Sequence, residues 1–375
     1  MGAPRRPARI FALVGDCYGG RGGIARYNQD LFEALAALGN EVVILPRLVG
    51  ASFPAAPPGV HQSSPVSNRL AYSAVALWLA WRHGPFDVVF CGHVFMAPLA
   101  WLLARLRGAH YWLQVHGVEM REARGRLRRS SIEAADLVTA VSRATRRQVL
   151  GETDLSPERT RVLPNTVRDT FVPGAVSRSL LARLDLPADS AGPFILTVGR
   201  LSSSERYKGH EQVLAVLADL RLRFPNLVYL VAGDGDDRAR LEEVARQHGL
   251  GPESVRFLGW VPDELLPDLY RLASLFVMPS TAEGFGIVFL EAVACGLRVV
   301  GAPGDGSVDV IQDSRMGETV GPHDRRALID AIARGLATGR VNPDVISAYR
   351  RPRFSALVGL LLTELMDRPT AERTA

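Results

Sequence analysis

Phe194-Ile-Leu-Thr-Val-Gly-Arg-Leu201 restarts a pattern that lapses between Arg168 and Pro193. A short apolar, β-branched run that stops at a glycine reads as a buried strand entering a loop. Upstream, similar runs lie at about Arg9 to Val14, Val42 to Leu45, Asp87 to Phe90, His110 to Val115 and Leu137 to Val141. Helices start between them near Ile24, Arg69, Phe95 and, behind a Ser142 cap, Arg143. Residues 51–68, rich in Pro and Ser, read as one long loop. Downstream the alternation resumes, with strands near Leu227 to Ala232, Val255 to Leu258, Ser274 to Met278 and Arg298 to Gly301. Strands alternating with helices predict parallel sheets covered on both faces. The fold class is therefore α/β, with two Rossmann-like, doubly wound domains. The expected boundaries are 1–185 for the first and 186–350 for the second, with 351–375 a C-terminal helical stretch (Phe354 to Met366) returning to brace the first domain.

A chain of 375 residues exceeds what one core usually supports. A hydrophobic content of 47% and mean hydropathy of +0.07 exclude a disordered polymer. The apolar stretches Ala71 to Trp81 and Met96 to Ala104 are too short to span a bilayer, are closed by Arg82 and Arg105, and read as buried helices. Arg9 to Gly15 is too brief for a signal sequence, so the expected location is the cytoplasm, with the inner face of the cell membrane as a place of contact. Cys17, Cys91 and Cys295 lie far apart, which excludes a disulfide framework.

The net charge is +5 and unevenly spread: eight arginines against three acids lie between Arg121 and Arg147. They read either as a solvated helix face or as a dock for anionic lipid or a phosphate-bearing acceptor. No aromatic interleaving or nucleic-acid module accompanies them, so nucleic acid is not an expected partner.

Glu283 and Glu291 flank a glycine-broken entry into a helix, Thr281-Ala-Glu-Gly-Phe-Gly-Ile-Val-Phe-Leu-Glu291. The entry leaves backbone N–H groups without partners, and with the helix dipole they suit a phosphate or diphosphate. At 1.5 Å per residue the two glutamates are about 12 Å apart, too far to share a proton or a metal. They can hold hydroxyls at the two ends of a nucleotide-sugar; the plainer alternative is a helix-start acid and a solvated helix charge. The apolar neighbours of Glu291 favour a cleft over bulk water.

Arg200 and Lys208 bracket the loop after the strand Phe194 to Gly199, where two cations can neutralise a diphosphate leaving group without a metal or be plain surface charges. Gly233-Asp-Gly-Asp-Asp237 offers an Asp-x-Asp spacing for Mg²⁺ or Mn²⁺, or acids that cap the following helix. His116 ends a strand and can donate to a sugar hydroxyl or serve structure alone. In the first loop, Gly20-x-Gly22-x-x-Ala25 fits a dinucleotide fingerprint, and hence an NAD-dependent oxidoreductase. That loop is long, however, and the next strand ends in Pro46-Arg47 with no acid for a ribose.

Several motifs together resemble the retaining GT-B glycosyltransferases of glycosyltransferase family 4. They are Gly22-Gly23-Ile24, Gln114-Val-His-Gly117, Pro164-Asn165, Gly199-Arg-Leu201 with Lys208-Gly209, Gly233-Asp-Gly235, Phe257-Leu-Gly259, Pro279-Ser280 and the Glu283/Glu291 pair. The resemblance covers about residues 9 to 340. It implies a hexosyltransferase whose two Rossmann-like domains face a central cleft. It implies donor diphosphate binding by Arg200 and Lys208, donor-sugar binding by Glu283 with Phe285, Gly286 and Ile287, and nucleoside binding by Glu291 and Gly233. It places His116 and Glu283 at the reacting centre and Gly22 and Gly23 in an acceptor or phosphate loop. It further implies no cofactor and no obligatory metal. The expected partners are a GDP- or UDP-sugar donor, mannose among the sugars, a lipid-linked or polysaccharide glycan acceptor, and an anionic membrane touched peripherally. A hydrolysing sugar-nucleotide epimerase shares the GT-B shape and is the alternative enzyme; a catalytically silent sensor is the alternative outside enzymology. Two departures stand out: Thr166 and Arg168 replace the usual Gly and Asp after Pro164-Asn165, and in Gly304-Asp-Gly-Ser-Val-Asp309 an aspartate occupies the place of a more usual glutamate.

Overall fold

The computed structural model describes residues 6–20, 22–48, 56–122, 125–186 and 192–368, with 121 and 122 described by backbone only. In chain order, the first half carries β1 (Arg9–Val14), α1 (Gly23–Ala37), β2 (Glu41–Pro46), β3 (Val60–Gln62), α2 (Arg69–His83), β4 (Val88–Cys91), α3 (Ala97–Arg107), β5 (His110–Val115), α4 (Arg126–Glu133), β6 (Leu137–Ala140), α5 (Arg143–Glu152) and β7 (Thr160–Val162). The second half carries α6 (Arg178–Arg183), β8 (Phe194–Val198), α7 (His210–Arg223), β9 (Val228–Ala232), α8 (Arg238–Gln247), β10 (Val255–Gly259), α9 (Leu266–Leu272), β11 (Leu275–Val277), α10 (Ile287–Ala294), β12 (Arg298–Gly301), α11 (Ser307–Ser314), β13 (Gly317–Thr319) and α12 (Arg325–Thr338), before the last helix, α13 (Arg351–Met366).

The strands form two wholly parallel sheets. One is ordered β3-β2-β1-β4-β5-β6-β7 and the other β10-β9-β8-β11-β12-β13. The chain order reverses between β1 and β4 in the first sheet and between β8 and β11 in the second. In open α/β sheets those reversals are where ligands sit, outside the carboxyl ends of the strands. Burial explains why the strand runs read as continuous: β4, β5 and β6 are buried at every residue, as a sheet covered on both faces requires.

Each unit has its own core. Phe11, Leu13, Val89, Tyr111 and Leu113 centre the first, and Ile195, Leu217, Tyr229, Leu275 and Val277 the second. The units divide after Thr166, and the described residues from 351 to 368 belong with the first. This differs from a boundary at 185/186. Residues following Thr166 are tied to the second unit instead: Val167 N–H donates to the Tyr349 carbonyl at 3.3 Å, and Arg271 Nε donates to the Val172 carbonyl at 2.9 Å.

Three short strands fall where no strand is expected: β3 inside the expected loop 51–68, and β7 and β13 at sheet edges. Each has three residues, too few for a period to register. The two apolar stretches read as buried helices are only half buried. On α2, Tyr72, Ala76, Leu79 and Ala80 face the core, whereas Trp78 and Trp81 are 56% and 72% exposed. Periodicity gives the wrong expectation here because α2 is apolar on both faces. The Ser142 cap is as expected, its hydroxyl accepting from Thr145 N–H at 3.0 Å.

Candidate functional site at the switch points

In the second unit, β8 ends at Val198 and its loop carries Arg200 and Lys208; β11 ends at Val277 and its loop carries Glu283. The two loops lie on either side of the strand-order reversal and are bonded across it. Thr281 N–H donates to the Tyr207 carbonyl at 3.0 Å, and Lys208 Nζ donates to Glu283 Oε1 at 3.2 Å. Lys208 also lies 3.6 Å from Glu205 Oε2, and Arg200 pairs with Glu205 from a well-exposed position. Burial works against a charge on Lys208, but Glu283 and Glu205 outweigh it and hold its pKa above the usual lysine value. Two cations and two carboxylates thus form one network around the switch point. Beside it, a shallow indentation is lined by Arg200, Ser202, Glu205, Arg206, His210 and Asp237 among others.

Glu283 is fixed on three sides. Ser280 Oγ donates to its Oε1 at 3.4 Å, its own N–H donates to Asp305 Oδ2 at 2.8 Å, and its carbonyl accepts from Gly306 N–H at 2.7 Å. Phe285 is buried with its ring 5.8 Å from that of Tyr349, and Gly286 opens α10 in the left-handed region at φ 74°. Helix α10 has no side-chain cap at its start; Phe289 N–H donates to the Gly286 carbonyl at 3.0 Å, and the N–H groups ahead of it lie before the first intrahelical acceptors. Glu291 lies on the second turn, 8% exposed, and its Oε2 accepts from the Tyr270 hydroxyl at 2.9 Å. A solvated helix charge is therefore not what Glu291 is.

Gly233 owes its identity to packing. At φ 141° it lies between β8 and β10, where a Cβ would come within 1.8 Å of the Gly199 carbonyl oxygen, and its N–H donates to the Gly259 carbonyl at 2.8 Å. The acids after it are engaged. Asp236 accepts from Ser203 N–H at 3.0 Å, and Asp237 binds Arg206 and Arg240. Asp237 occupies the cap position of α8 without capping it, because those arginines take its oxygens. Among the described residues, no group of three His, Cys, Asp or Glu is placed to hold a metal ion.

In the first unit, His116 follows β5 at 8% exposure, its ring edge-on to Tyr27 at 5.2 Å. Its backbone N–H donates to Glu119 Oε1 at 2.6 Å, and no described group bonds its Nε2. Burial pushes its pKa down to about 3, with His93 adding to the effect, so the imidazole is neutral at ordinary pH. Gly22 (φ 95°) and Gly23 open α1, whose first turn has neither a side-chain cap nor an acid. Of the arginine group, Arg124 and the Arg121 side chain lie outside the described residues. Arg129 pairs with Glu133 and Asp154, and Arg128 lies 4.7 Å over the Phe95 ring.

Sequence reading missed Glu205, Tyr270 and Asp305. Glu205 had a signal, an acid midway between the two cations. Tyr270 and Asp305 reach the site from other loops and helices, which spacing does not report.

Residues 21–171 match the Glycosyltransferase Family 4 model and residues 182–349 match Glycosyl transferases group 1. A GDP-mannose-dependent alpha-(1-6)-phosphatidylinositol monomannoside mannosyltransferase of Mycolicibacterium smegmatis is 30% identical over 339 residues, covering 85% of this chain and 87% of the relative. The chain belongs to the family 4 glycosyltransferases. A D-inositol 3-phosphate glycosyltransferase of Salinispora arenicola is 28% identical over 93% of this chain and 88% of its own length. The glycosyltransferase also shares its GT-B fold with solved structures. Sucrose-phosphate synthase from Thermosynechococcus elongatus superposes with a TM-score of 0.76 at 23% identity, covering 95% of this chain and 99% of that one. Anabaena HepE in complex with UDP-glucose gives 0.76 at 20%, covering 95% and 100%.

Proposed function

We propose that this glycosyltransferase is a retaining hexosyltransferase that moves mannose from GDP-mannose to a lipid-linked glycan at an anionic membrane surface. The observation that carries the donor half is the Lys208–Glu283 pair at the β8/β11 switch point, with the uncapped start of α10 beside it. Arg200 and Lys208 take the diphosphate; Glu283 and the N–H groups of Phe285, Gly286 and Ile287 take the sugar; Glu291 takes the ribose, with Gly233 letting the backbone close up beneath the nucleoside. Within the first unit, His116, neutral and with no described partner on its Nε2, is assigned to the reaction, and the Gly22-Gly23 loop to the acceptor. An acceptor hydroxyl oxygen bonds to the anomeric carbon on the face the diphosphate leaves, the carbon–oxygen bond to the diphosphate breaks, and the hydroxyl proton passes to a leaving oxygen. Fixed cations stabilise the charge that develops there, so no obligatory metal is needed.

GDP-mannose is favoured over UDP-hexoses because the 30% identical relative carries it in its name. Incubation with GDP-mannose, UDP-glucose and UDP-galactose, with and without phosphatidylinositol mannoside vesicles, tests this through released GDP or UDP. Vesicle-dependent GDP release from GDP-mannose is expected; release of UDP alone overturns the donor, and release without vesicles the acceptor.

The membrane half rests on α2 and α3. Trp78, Trp81 and Leu70 on α2 and Leu102 and Leu106 on α3 are exposed, as are Arg69 and Arg82 on α2 and Arg105 on α3. Neither helix contains an acid. Exposed indoles beside cations suit a headgroup layer with anionic lipid. The double variant Trp78→Ser, Trp81→Ser is expected to co-sediment with phosphatidylglycerol-containing vesicles about 10-fold more weakly. Undiminished sedimentation removes the assignment of this face.

A further inference from the structure

The loop after β12 grips the loop after β11 by its main chain. Asp305 and Gly306 take both backbone groups of Glu283: Asp305 Oδ2 accepts its N–H at 2.8 Å, and Gly306 N–H donates to its carbonyl at 2.7 Å. The other carboxylate oxygen, Oδ1, accepts from Ser307 N–H at 2.9 Å and from Ser307 Oγ at 2.5 Å, which anchors Asp305 to the start of α11. The two loops are in direct contact, since a Cβ on Gly306 would lie 1.8 Å from the Gly284 carbonyl oxygen. Asp305 is 6% exposed. Burying a carboxylate is costly, and burial lifts this one to a pKa of about 6 despite three hydrogen-bond donors. An acid kept there at that cost, with both oxygens engaged by hydrogen-bond donors from Glu283 and Ser307, calls for a reason beyond solubility.

We infer that Asp305 is a positioning residue for the transfer reaction, setting through the Glu283 main chain where the Glu283 carboxylate and the Phe285–Ile287 N–H groups meet the donor sugar. The inference rests on Glu283 being the donor-sugar residue. The Glu283 side chain is held from the opposite side by Lys208, so its position is the product of two anchors: one ionic at the carboxylate, one at the peptide. Asp305 reaches the sugar only through that peptide. Nucleotide binding, which falls to Arg200 and Glu291, is left outside its influence.

The test compares Asp305→Ala, Asp305→Asn and Ser307→Ala with wild type in donor turnover and in GDP or UDP affinity measured by calorimetry. Asp305→Ala is expected to lower kcat at least about 30-fold while nucleotide affinity stays within about 2-fold. Asp305→Asn keeps an acceptor for Glu283 N–H and is expected to recover most of that loss, and Ser307→Ala to show a smaller loss in the same direction. Wild-type kcat in Asp305→Ala overturns the inference, as does equal impairment of Ala and Asn variants or a parallel loss of nucleotide affinity. If Asp305→Ala does not fold, the Asn and Ser307→Ala variants decide alone: a kcat effect without an affinity effect supports positioning, and no kcat effect in either refutes it. Glu283→Gln separates the premises, because full turnover in that variant removes the role of Glu283 itself, whereas a dead Glu283→Gln with silent Asp305 variants removes only the role of Asp305.

Discussion

Lys208→Met is expected to lower donor turnover by about 10²- to 10³-fold, the range seen when one preorganised electrostatic contact to developing charge is deleted. Methionine keeps much of the side-chain volume, so the loss isolates the charge. The lysine is 13% exposed and faces two carboxylates, Glu283 at 3.2 Å and Glu205 at 3.6 Å. Its removal takes the ammonium from between Glu205 and Glu283 and leaves exposed Arg200 paired with Glu205, and a stability cost of about 1–3 kcal/mol accompanies the loss of activity. Lys208→Arg is expected to recover little, since a planar fork does not replace a compact ammonium between two oxygens in a tight site. Steady-state assays with circular dichroism as the folding control check this. Wild-type turnover in the methionine variant would remove Lys208 from the donor site.

The second large effect is acid lability of the first unit. His93 is partly buried and His116 buried there, and desolvation lowers their pKa values to about 4 and about 3. A group whose folded pKa lies below its unfolded value binds more protons when unfolded, so its contribution is complete above about pH 6.5 and is lost as pH falls towards the folded pKa. Between pH 7.5 and 5 each histidine removes about 2 kcal/mol, and the pair about 4. Glu119, raised by its burial in the same unit, works in the opposite sense and trims the total. In the second unit, buried His210, lowered to about 4, acts against Asp305, raised to about 6, whose stabilising contribution is present at low pH and lost as pH rises through 6. Those two largely cancel. Four of the five tryptophans, Trp78, Trp81, Trp101 and Trp112, belong to the first unit, so urea unfolding followed by tryptophan fluorescence reads mainly that unit. A drop of about 2–4 kcal/mol from pH 7.5 to 5 is expected, and an unchanged urea midpoint would contradict it.

Both predictions show where legibility stopped. Lys208 and Glu283 were nameable from their motifs, but that they bond to each other depends on β8 and β11 being neighbours, although β9 and β10 come between them in sequence. His116 could be placed at a strand end; its neutrality depends on burial against Tyr27 and on His93 nearby, and neither is fixed by spacing. The half-exposed face of α2 was illegible for the opposite reason. Its composition is apolar throughout, and only packing decides which apolar face remains outside.

The sequence alone determined two parallel α/β units, because continuous apolar runs separated by helical stretches bury only in a sheet covered on both sides. It also determined which loops carry charge and glycine, since chain order puts them at strand ends. The tertiary structure decided the rest: the chain division at Thr166, the joining of Lys208 to Glu283 across the switch point, the burial of Glu291 against Tyr270, and the hold of Asp305 on the Glu283 peptide. Periodicity is a local property, felt within one strand or helix. Contacts between loops from non-consecutive strands follow from sheet order, which is settled only when whole elements compete to bury the same surfaces.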